Sequence, residues 1–145
     1  MKPIGPKFLP ALCLACLAGI FLTIPFYRII EAHSPTGWAA PAKEKKVKNP
    51  VLNNMESRSR GQIIYMEKCA ICHGFKGEGP GEMGKTLDPR PPDLTDGHMM
   101  KEMPDGEIYW KITAGKGPMP SYQKELTKNE RWDLVNYIRS LAKTR

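Results

Sequence analysis

The stretch Cys69-Ala70-Ile71-Cys72-His73 decides how this chain folds. Two thiols separated by two residues and followed at once by a histidine are typical of the attachment of a c-type haem. The spacing places both sulfur atoms on one side of a helical turn, where each can add to a vinyl group of the porphyrin. The pattern therefore predicts that Cys69 and Cys72 form thioether bonds to one haem and that His73 is the proximal ligand of its iron.

Two other uses of a Cys-x-x-Cys pair compete with this interpretation. A redox disulfide is typical of a βαβ setting, and the flanking sequence shows no such pattern. A zinc site needs a second pair of ligands, and the only other cysteines are Cys13 and Cys16. Those two lie in an apolar run, where we expect small apolar side chains or, for Cys16, a site of lipid acylation. Covalent haem is the favoured interpretation.

The composition is that of a small basic protein with one domain and appendages. The chain has 145 residues and a formal net charge of +7, from 22 Lys and Arg against 15 Asp and Glu. The basic residues do not cluster with aromatic ones, so we expect no nucleic-acid partner and assign the charge to contacts with protein or lipid surfaces. A domain this small buries little apolar surface, and a bound haem would supply part of its core.

Residues 8–27 form an uncharged, mainly apolar run. At 1.5 Å per residue a helix of this length spans about 30 Å, the thickness of the hydrocarbon core of a bilayer. Lys2 and Lys7 precede the run, so the positive-inside bias leaves the N-terminus in the cytoplasm and exports the rest. We therefore predict a cytoplasmic tip and a single transmembrane helix over residues 1–30. A cleaved signal peptide is the alternative, although the only Ala-x-Ala sequence, Ala40-Pro41-Ala42, lies far beyond the run.

Residues 31–56 are polar and show no apolar periodicity. They contain three prolines and the charged run Lys43-Glu44-Lys45-Lys46, which suits anionic lipid. A flexible chain of this length has a root-mean-square reach of about 25–30 Å. We therefore predict a linker that tethers the haem domain of residues 57–145 close to the membrane.

Two helices frame the haem domain. The first is predicted from about Ser57 into the haem motif and contains Gly61, since a glycine inside a helix often marks the close approach of another element. The last begins after Thr127, which fits a capping box with Glu130, and continues to about Lys143. An apolar stripe recurs along the last helix at three- and four-residue spacing and is expected to pack on the first helix at Gly61. Its residues are Leu134, Tyr137, Ile138 and Leu141.

A shorter helix is predicted between these two, from Asp105 to about Thr113. Asp105 is its expected cap, Ile108 and Ile112 form one face, and Gly115 ends it.

With these helices, residues 57–145 resemble a small class I cytochrome c. The resemblance rests on the haem motif, on Gly61 and Tyr65 eight and four residues before Cys69, and on the pair at Leu134 and Tyr137. It implies an all-α fold around one covalent haem c, with the first and last helices crossing near Gly61. It also implies that the haem is attached outside the bacterial cytoplasmic membrane.

The stretch Gly115-Lys116-Gly117-Pro118-Met119-Pro120-Ser121-Tyr122 offers a second axial ligand. Prolines flank Met119 and glycines precede it, so the stretch cannot be helical and should form a stiff loop. A thioether suits iron, and His/Met ligation raises the reduction potential of a cytochrome. The resemblance implies the same role, because the family's distal methionine has this Met-Pro setting. The alternative ligands are His98, Met99, Met100 and Met103.

The ring of a ligating histidine is usually fixed by a hydrogen bond from its other nitrogen. The resemblance implies that the carbonyl of a Pro-x-Leu loop accepts this bond, and Pro92-Asp93-Leu94 matches that pattern. We therefore expect Pro92 to be the acceptor and Leu94 to pack on the haem. The alternative for Arg90-Pro91-Pro92 is a polyproline-like surface segment.

These features predict a one-electron carrier on the periplasmic side of the bacterial inner membrane, without catalysis by the chain alone. The chain also resembles the monohaem subunit of quinol-oxidising assemblies such as alternative complex III, which implies redox partners within a respiratory complex. The matching segments are Arg90-Pro91-Pro92-Asp93-Leu94, Met119-Pro120 and Glu130-Arg131-Trp132. The alternatives are a free tethered carrier to a terminal oxidase or reductase and, in a different class, an open-iron haem protein for peroxide reduction or gas sensing.

Four lysines flank the expected haem edge. We expect them to steer the domain towards acidic partner surfaces, with ordinary solvated side chains as the alternative. They are Lys76, Lys85, Lys116 and Lys124.

Overall fold

The computed structural model describes residues 37–143. Its helices are α1 (Ala42–Lys45), α2 (Met55–Lys68), α3 (Ala70–His73), α4 (Gly97–Glu102), α5 (Asp105–Ala114) and α6 (Lys128–Leu141), with a 3-10 helix at Met83–Thr86. This range contains no strand, so the helical prediction is confirmed for the described part of the chain. None of its helices is both long enough and apolar enough to cross a bilayer. The anchor predicted over residues 8–27 lies outside the described residues.

Helices α2 and α6 cross at Gly61, as the sequence predicts. A Cβ on Gly61 would overlap the carbonyl oxygen of Asp133 and lie 2.8 Å from the Cβ of Tyr137. The rings of Tyr65 and Tyr137 pack beside this point with centroids 5.2 Å apart. Leu134 is fully buried in the same layer. The core of the domain therefore lies between these two helices.

A buried polar network that the sequence did not indicate fixes the crossing. The hydroxyl of Ser57 donates to the carboxylate of Asp133 at 2.6 Å, and Arg60 donates to the same carboxylate at 2.7 Å and 2.9 Å. The side-chain amide of Asn136 donates to the Ser57 hydroxyl at 2.8 Å. Because buried polar groups are costly unless they are paired, this network favours one register of α2 on α6.

The ends of the later helices agree with the sequence in one case and differ in the other. At α6, Glu130 N donates to the Thr127 hydroxyl at 3.3 Å and Thr127 N donates to the Glu130 carboxylate at 2.7 Å, which confirms the capping box. At α5 the predicted cap is wrong. Pro104 occupies the cap position, and Asp105 is the first helical residue. The Asp105 carboxylate instead accepts from Arg139 Nε at 2.6 Å, so it is not available to the helix amides.

Residues 37–54, which the sequence predicts as part of a flexible tether, instead pack against α5 and α6, and we call them the N-terminal strap. The ring of Trp38 lies 6.0 Å from that of Trp110. The side-chain amide of Asn49 donates to Asn136 at 2.8 Å. The carbonyls of Glu44, in α1, and of Val47 approach Gly106 so closely that a Cβ there would overlap them. The tether prediction is therefore corrected for this stretch, because its contacts use backbone carbonyls and single side chains, which leave no apolar periodicity.

A buried carboxylate on α5 also holds the strap. Glu107 is 4% exposed and lies 3.0 Å from Lys111 Nζ and 3.3 Å from Lys45 Nζ. The main-chain nitrogen of Ala40 donates to the same carboxylate at 3.4 Å. Burial by itself raises the pKa of Glu107, but the two lysines more than offset this and hold the pKa below its ordinary value.

Candidate haem site

The haem motif lies where α2 ends and α3 forms a single further turn. Cys69 caps α2, and its main-chain nitrogen donates to the Tyr65 carbonyl at 2.8 Å. Cys72 and His73 lie on α3, where His73 N donates to the Cys69 carbonyl at 2.9 Å. The helical backbone therefore places Cys69, Cys72 and His73 within a little more than one helical turn, the arrangement that the spacing predicts.

The described residues lend no support to the two other uses of the cysteine pair. Cys69 and Cys72 are free thiols and are not joined in a disulfide. Between residues 37 and 143, no three His, Cys, Asp or Glu side chains are grouped so that they could hold a metal ion. A zinc site would therefore lack its remaining ligands in this part of the chain.

Burial sets the ionisation of the motif. It raises the pKa of Cys69 to about 12, to which Cys72 also contributes, so Cys69 is a neutral thiol. Burial lowers the pKa of His73, so the imidazole is neutral and keeps a lone pair for a metal. Its Nδ1 is buried and has no hydrogen-bond partner among residues 37–143, an arrangement that is costly unless something else satisfies it. A neutral imidazole beside two reduced thiols is the donor set that a covalent haem requires, so these residues fit the cofactor.

The chain after the motif folds back closely upon it. Gly79 N donates to the His73 carbonyl at 2.9 Å, and Gly81 N donates to the Cys72 carbonyl at 2.8 Å. A Cβ on Gly84, in the 3-10 helix, would overlap that same Cys72 carbonyl. Side chains at these positions would push the loop away, so the glycines keep the backbone around the motif compact.

Pro92 and Leu94 lie beside this loop. Leu94 N donates to the Gly77 carbonyl at 2.7 Å, and the Leu94 side chain packs against the hydrophobic core. The Pro92 carbonyl oxygen lies 2.9 Å from where a Cβ on Gly79 would be. The structure therefore brings Pro92 next to a residue bonded to His73. The predicted hydrogen bond from His73 Nδ1 to the Pro92 carbonyl is not formed, and Nδ1 has no hydrogen-bond partner within the described range. The role of Pro92 stays a prediction.

Met119 lies in the connection between α5 and α6, which we call the Met119 loop (115–123). Its main-chain nitrogen donates to the Lys116 carbonyl at 2.9 Å, and Lys116 N donates back to the Met119 carbonyl at 3.0 Å. Gly115 has φ 63°, and a Cβ there would lie 2.5 Å from Ser121 N, so the loop closes on itself. The Met119 side chain is partly buried against the core. The loop is therefore non-helical and constrained, as its prolines and glycines predict.

Tyr122 joins the Met119 loop to the haem motif. Its main-chain nitrogen donates to the Ile112 carbonyl at 3.1 Å, and its hydroxyl donates to the carbonyl of Lys68 at 3.0 Å. Lys68 directly precedes Cys69. Burial raises the pKa of Tyr122 to about 12, and the proximity of Cys69 acts in the same direction. The Met119 loop is therefore held against the start of the motif. The sequence pointed to Met119 through its Met-Pro pattern but did not predict this hydrogen bond.

The family model described as cytochrome C oxidase, cbb3-type, subunit III matches residues 56–138, which include the haem motif, the Met119 loop and most of α6. The chain belongs to this family. It is a class I cytochrome c that transfers electrons through one covalent haem c.

Curated relatives and a solved structure agree with this assignment. The cbb3-type cytochrome c oxidase subunit FixPc of Rhizobium leguminosarum bv. viciae is 30% identical over 83 residues, which are 57% of this chain and 27% of that protein. The cytochrome bc1 complex cytochrome c subunit of Corynebacterium diphtheriae is 29% identical over 91 residues, 59% of this chain and 28% of that protein. The structure of the c-type cytochrome KustC0563 is 27% identical with a TM-score of 0.53, over 57% of this chain and 98% of that one. The cytochrome therefore spans just over a quarter of the curated relatives it matches.

The alternative axial ligands of this cytochrome have other contacts. His98 is exposed, with its Nε2 3.7 Å from Glu102. Met100 is buried in the core on α4, and the sulfur of Met103 accepts from Lys111 Nζ at 3.7 Å. Of the candidates in the described range, Met119 is the one whose loop is hydrogen-bonded to the segment that leads into the motif.

The four lysines predicted to flank the haem edge are all exposed. One of them, Lys85, pairs with Glu82 at 2.8 Å. Their exposure fits a role in meeting partners, and that role stays a prediction.

Proposed function

We propose that this cytochrome carries single electrons within a quinol-oxidising respiratory complex, anchored to the bacterial inner membrane with its haem domain on the periplasmic side. Cys69 and Cys72 attach the haem, and His73 and Met119 ligate its iron. In the haem-loaded protein the Nδ1 of His73, unpaired within the described residues, donates to the Pro92 carbonyl, and Leu94 packs against the porphyrin. The observation that carries the assignment of both ligands is the hydrogen bond from Tyr122 to Lys68, because it joins the loop of one proposed ligand to the residue directly before the motif that bears the other.

Bound haem supplies an iron that accepts and releases one electron. The protein decides whether that iron is closed or open to other ligands. Several hydrogen bonds hold the Met119 loop. The main chains of Lys116 and Met119 bond to each other, and Tyr122 N donates to the Ile112 carbonyl. The Ser121 hydroxyl donates to the Thr113 carbonyl. A thioether held this way needs no rearrangement between oxidation states and blocks added ligands. A closed iron favours an electron carrier over peroxide reduction or gas sensing.

Substitution of Met119 tests the ligand assignment. Ferric haem with a sulfur ligand has a weak near-infrared absorption band, and its ferrous form does not bind added carbon monoxide. Met119→Ala is expected to lose the band and to bind carbon monoxide. Met99→Ala and Met100→Ala are the matched controls and are expected to keep the wild-type spectrum. A band that survives in Met119→Ala would show that another residue ligates the iron.

Acid–acetone extraction tests the covalent attachment. The pigment is expected to stay with the wild-type polypeptide, because thioether bonds resist this treatment. In the double variant Cys69→Ala and Cys72→Ala any haem is expected in the solvent phase. Extraction of the pigment from the wild-type chain would overturn the assignment of both cysteines.

The choice of complex rests on the respiratory subunits among the relatives and on the resemblance to the monohaem subunit of alternative complex III. A second candidate is a free tethered carrier to a terminal oxidase or reductase, and the match to an oxidase subunit family favours an oxidase as its electron acceptor. Purification from membranes in mild detergent distinguishes them. A large multi-subunit assembly that stains for haem supports the complex, whereas a lone 16.3 kDa haem band supports the free carrier.

A further inference from the structure

Arg131 is a buried cation on α6 that lacks a carboxylate partner. It is 4% exposed, and no ion pair to an Asp or Glu forms at Arg131 within residues 37–143. Its Nε is also buried without a hydrogen-bond partner in that range. Burial of a charge without an opposite charge is costly. A residue that bears this cost is expected to have a specific task.

The guanidinium is directed at the main chain of the Met119 loop. Nη1 donates to the carbonyl oxygens of Tyr122 at 3.3 Å and Gln123 at 3.0 Å. Nη2 donates to the hydroxyl of Tyr109 at 3.1 Å, and the guanidinium carbon lies 5.3 Å from the centre of that ring. The ring in turn stacks on Trp132 with centroids 4.0 Å apart. Arg131 is therefore held by an aromatic stack while it binds two successive residues of the loop.

These two carbonyls follow Met119 by only three and four residues. Pro118 and Pro120 flank Met119 and restrict the backbone on both sides of it, so a shift at Tyr122 is transmitted to Met119 rather than absorbed between them. Tyr122 is held from two directions, at its carbonyl by Arg131 and at its hydroxyl by the Lys68 carbonyl. The first contact connects the loop to α6, and the second connects it to the haem motif.

We infer that Arg131 is a positioning residue for the sulfur of Met119: it fastens the Met119 loop to α6 and keeps the thioether on the iron. The inference rests on the proposed ligation by Met119. Arg131 bonds to Tyr122, Gln123 and Tyr109 and not to Met119 or His73. Its effect on the iron–sulfur bond therefore passes through the loop backbone.

Arg139 provides a matched control on the same helix. It also donates to two main-chain carbonyls, those of Met100 and Met103, and its Nε pairs with Asp105. It therefore makes the same kind of contact with the last turn of α4 and with Met103 directly after it, away from the Met119 loop. Its loss is expected to weaken the fold without a selective effect on the iron–sulfur bond.

The test follows two signals while denaturant is added to the haem-loaded full chain. The near-infrared band of the ferric protein reports the sulfur ligand, and far-ultraviolet circular dichroism reports the helices. In Arg131→Gln about half of the band is expected to be lost before about a tenth of the helical signal, because the loop opens before the fold. Carbon monoxide binding by the ferrous form is expected to rise at the same low denaturant concentrations. In wild type and Arg139→Gln the two signals are expected to change together.

Arg131→Lys is the second variant and decides the question if Arg131→Gln does not accumulate with haem. It keeps the charge but loses the planar fork that reaches both carbonyls, so a smaller separation of the two signals is expected. Coincident transitions in the Arg131 variants would overturn the inference while leaving Met119 as the ligand. A wild-type protein without the band, or a band that survives in Met119→Ala, would overturn the proposed ligation and this inference with it.

Discussion

The effect of substituting a single residue of this cytochrome depends on whether the neighbouring backbone leaves room for a side chain. Gly61 lies against the carbonyl of Asp133, and Gly84 lies against the carbonyl of Cys72. In both places the neighbour is main chain of another element, which cannot rotate away as a side chain can. The charge of His73 also depends on its surroundings, because burial lowers the pKa of the ring and keeps the ring neutral.

Gly61→Ala is expected to lower the free energy of unfolding by about 3 kcal/mol, because its methyl group forces α2 away from α6. Denaturant unfolding of the haem-loaded protein measures this. The control is Ser59→Ala, at an exposed position of the same helix, where a change within about 0.5 kcal/mol is expected. Equal losses in both variants would mean that helix propensity, and not the close approach, decides the effect.

At the scale of elements, the N-terminal strap shows how a polar segment can be ordered. It has little apolar surface of its own, and its contacts include the ring pair of Trp38 and Trp110, the amide pair of Asn49 and Asn136, and the ion pair of Lys45 and Glu107. These contacts fix the position at which the described chain begins, beside α5. The helix that precedes the Met119 loop is therefore the one that the strap covers.

Glu107→Gln tests the strap through its pH dependence. The pKa of Glu107 is lowered in the folded protein. Its ionised form therefore stabilises the fold fully at pH values above the pKa of an unperturbed glutamate, which is about 4.3. That contribution is lost as the pH falls through the lowered pKa. At pH 7 the variant is expected to be less stable by about 1 kcal/mol.

Unfolding midpoints of wild type and Glu107→Gln, measured from pH 7 down to acid pH, are expected to converge below the ordinary titration range of glutamate. The control is Glu82→Gln, at an exposed carboxylate that pairs with Lys85, where little change is expected. A difference between wild type and Glu107→Gln that persists unchanged in acid would contradict the stabilising role of the ionised carboxylate.

At the scale of the whole molecule, the chain has an excess of basic residues, and we predict that its exposed lysines meet partners. The formal net charge is +7, and the four lysines near the Met119 loop and the haem motif are exposed. Exposed charges act over about 8–10 Å at ordinary ionic strength, so they affect the rate of encounter more than the stability of a complex.

Electron transfer to an isolated oxidase or reductase with an acidic surface is expected to slow as ionic strength rises. Stopped-flow rates measured in a series of salt concentrations check this. Lys76→Glu combined with Lys124→Glu is expected to reduce the rate several-fold at low salt and to flatten its salt dependence. Lys48→Glu, in the strap, changes the net charge by the same amount per residue and is expected to have a weaker effect. Rates that do not respond to salt would exclude steering by these lysines.

Much of the fold follows from local patterns. The capping box at Thr127 and the turn that bears His73 each depend on residues a few positions apart, and such short-range geometry is encoded in spacing. The crossing joins distant residues, but Gly61 marks it, because a glycine inside a helix often lies where another element approaches closely. The prediction that Asp105 caps α5 is wrong because Asp105 has a distant partner, Arg139, that a local pattern does not reveal.

The amino-acid sequence by itself determined the covalent haem, the helical class and the candidate ligands His73 and Met119, because each depends on the chemistry and spacing of neighbouring residues. Only the tertiary structure decided that residues 37–54 pack on the domain, that Tyr122 bonds to Lys68, and that Arg131 is buried against the Met119 loop. The physical reason is that these contacts join single side chains to one another or to single backbone carbonyls, outside any regular repeat. Such bonds leave no periodic trace in the sequence.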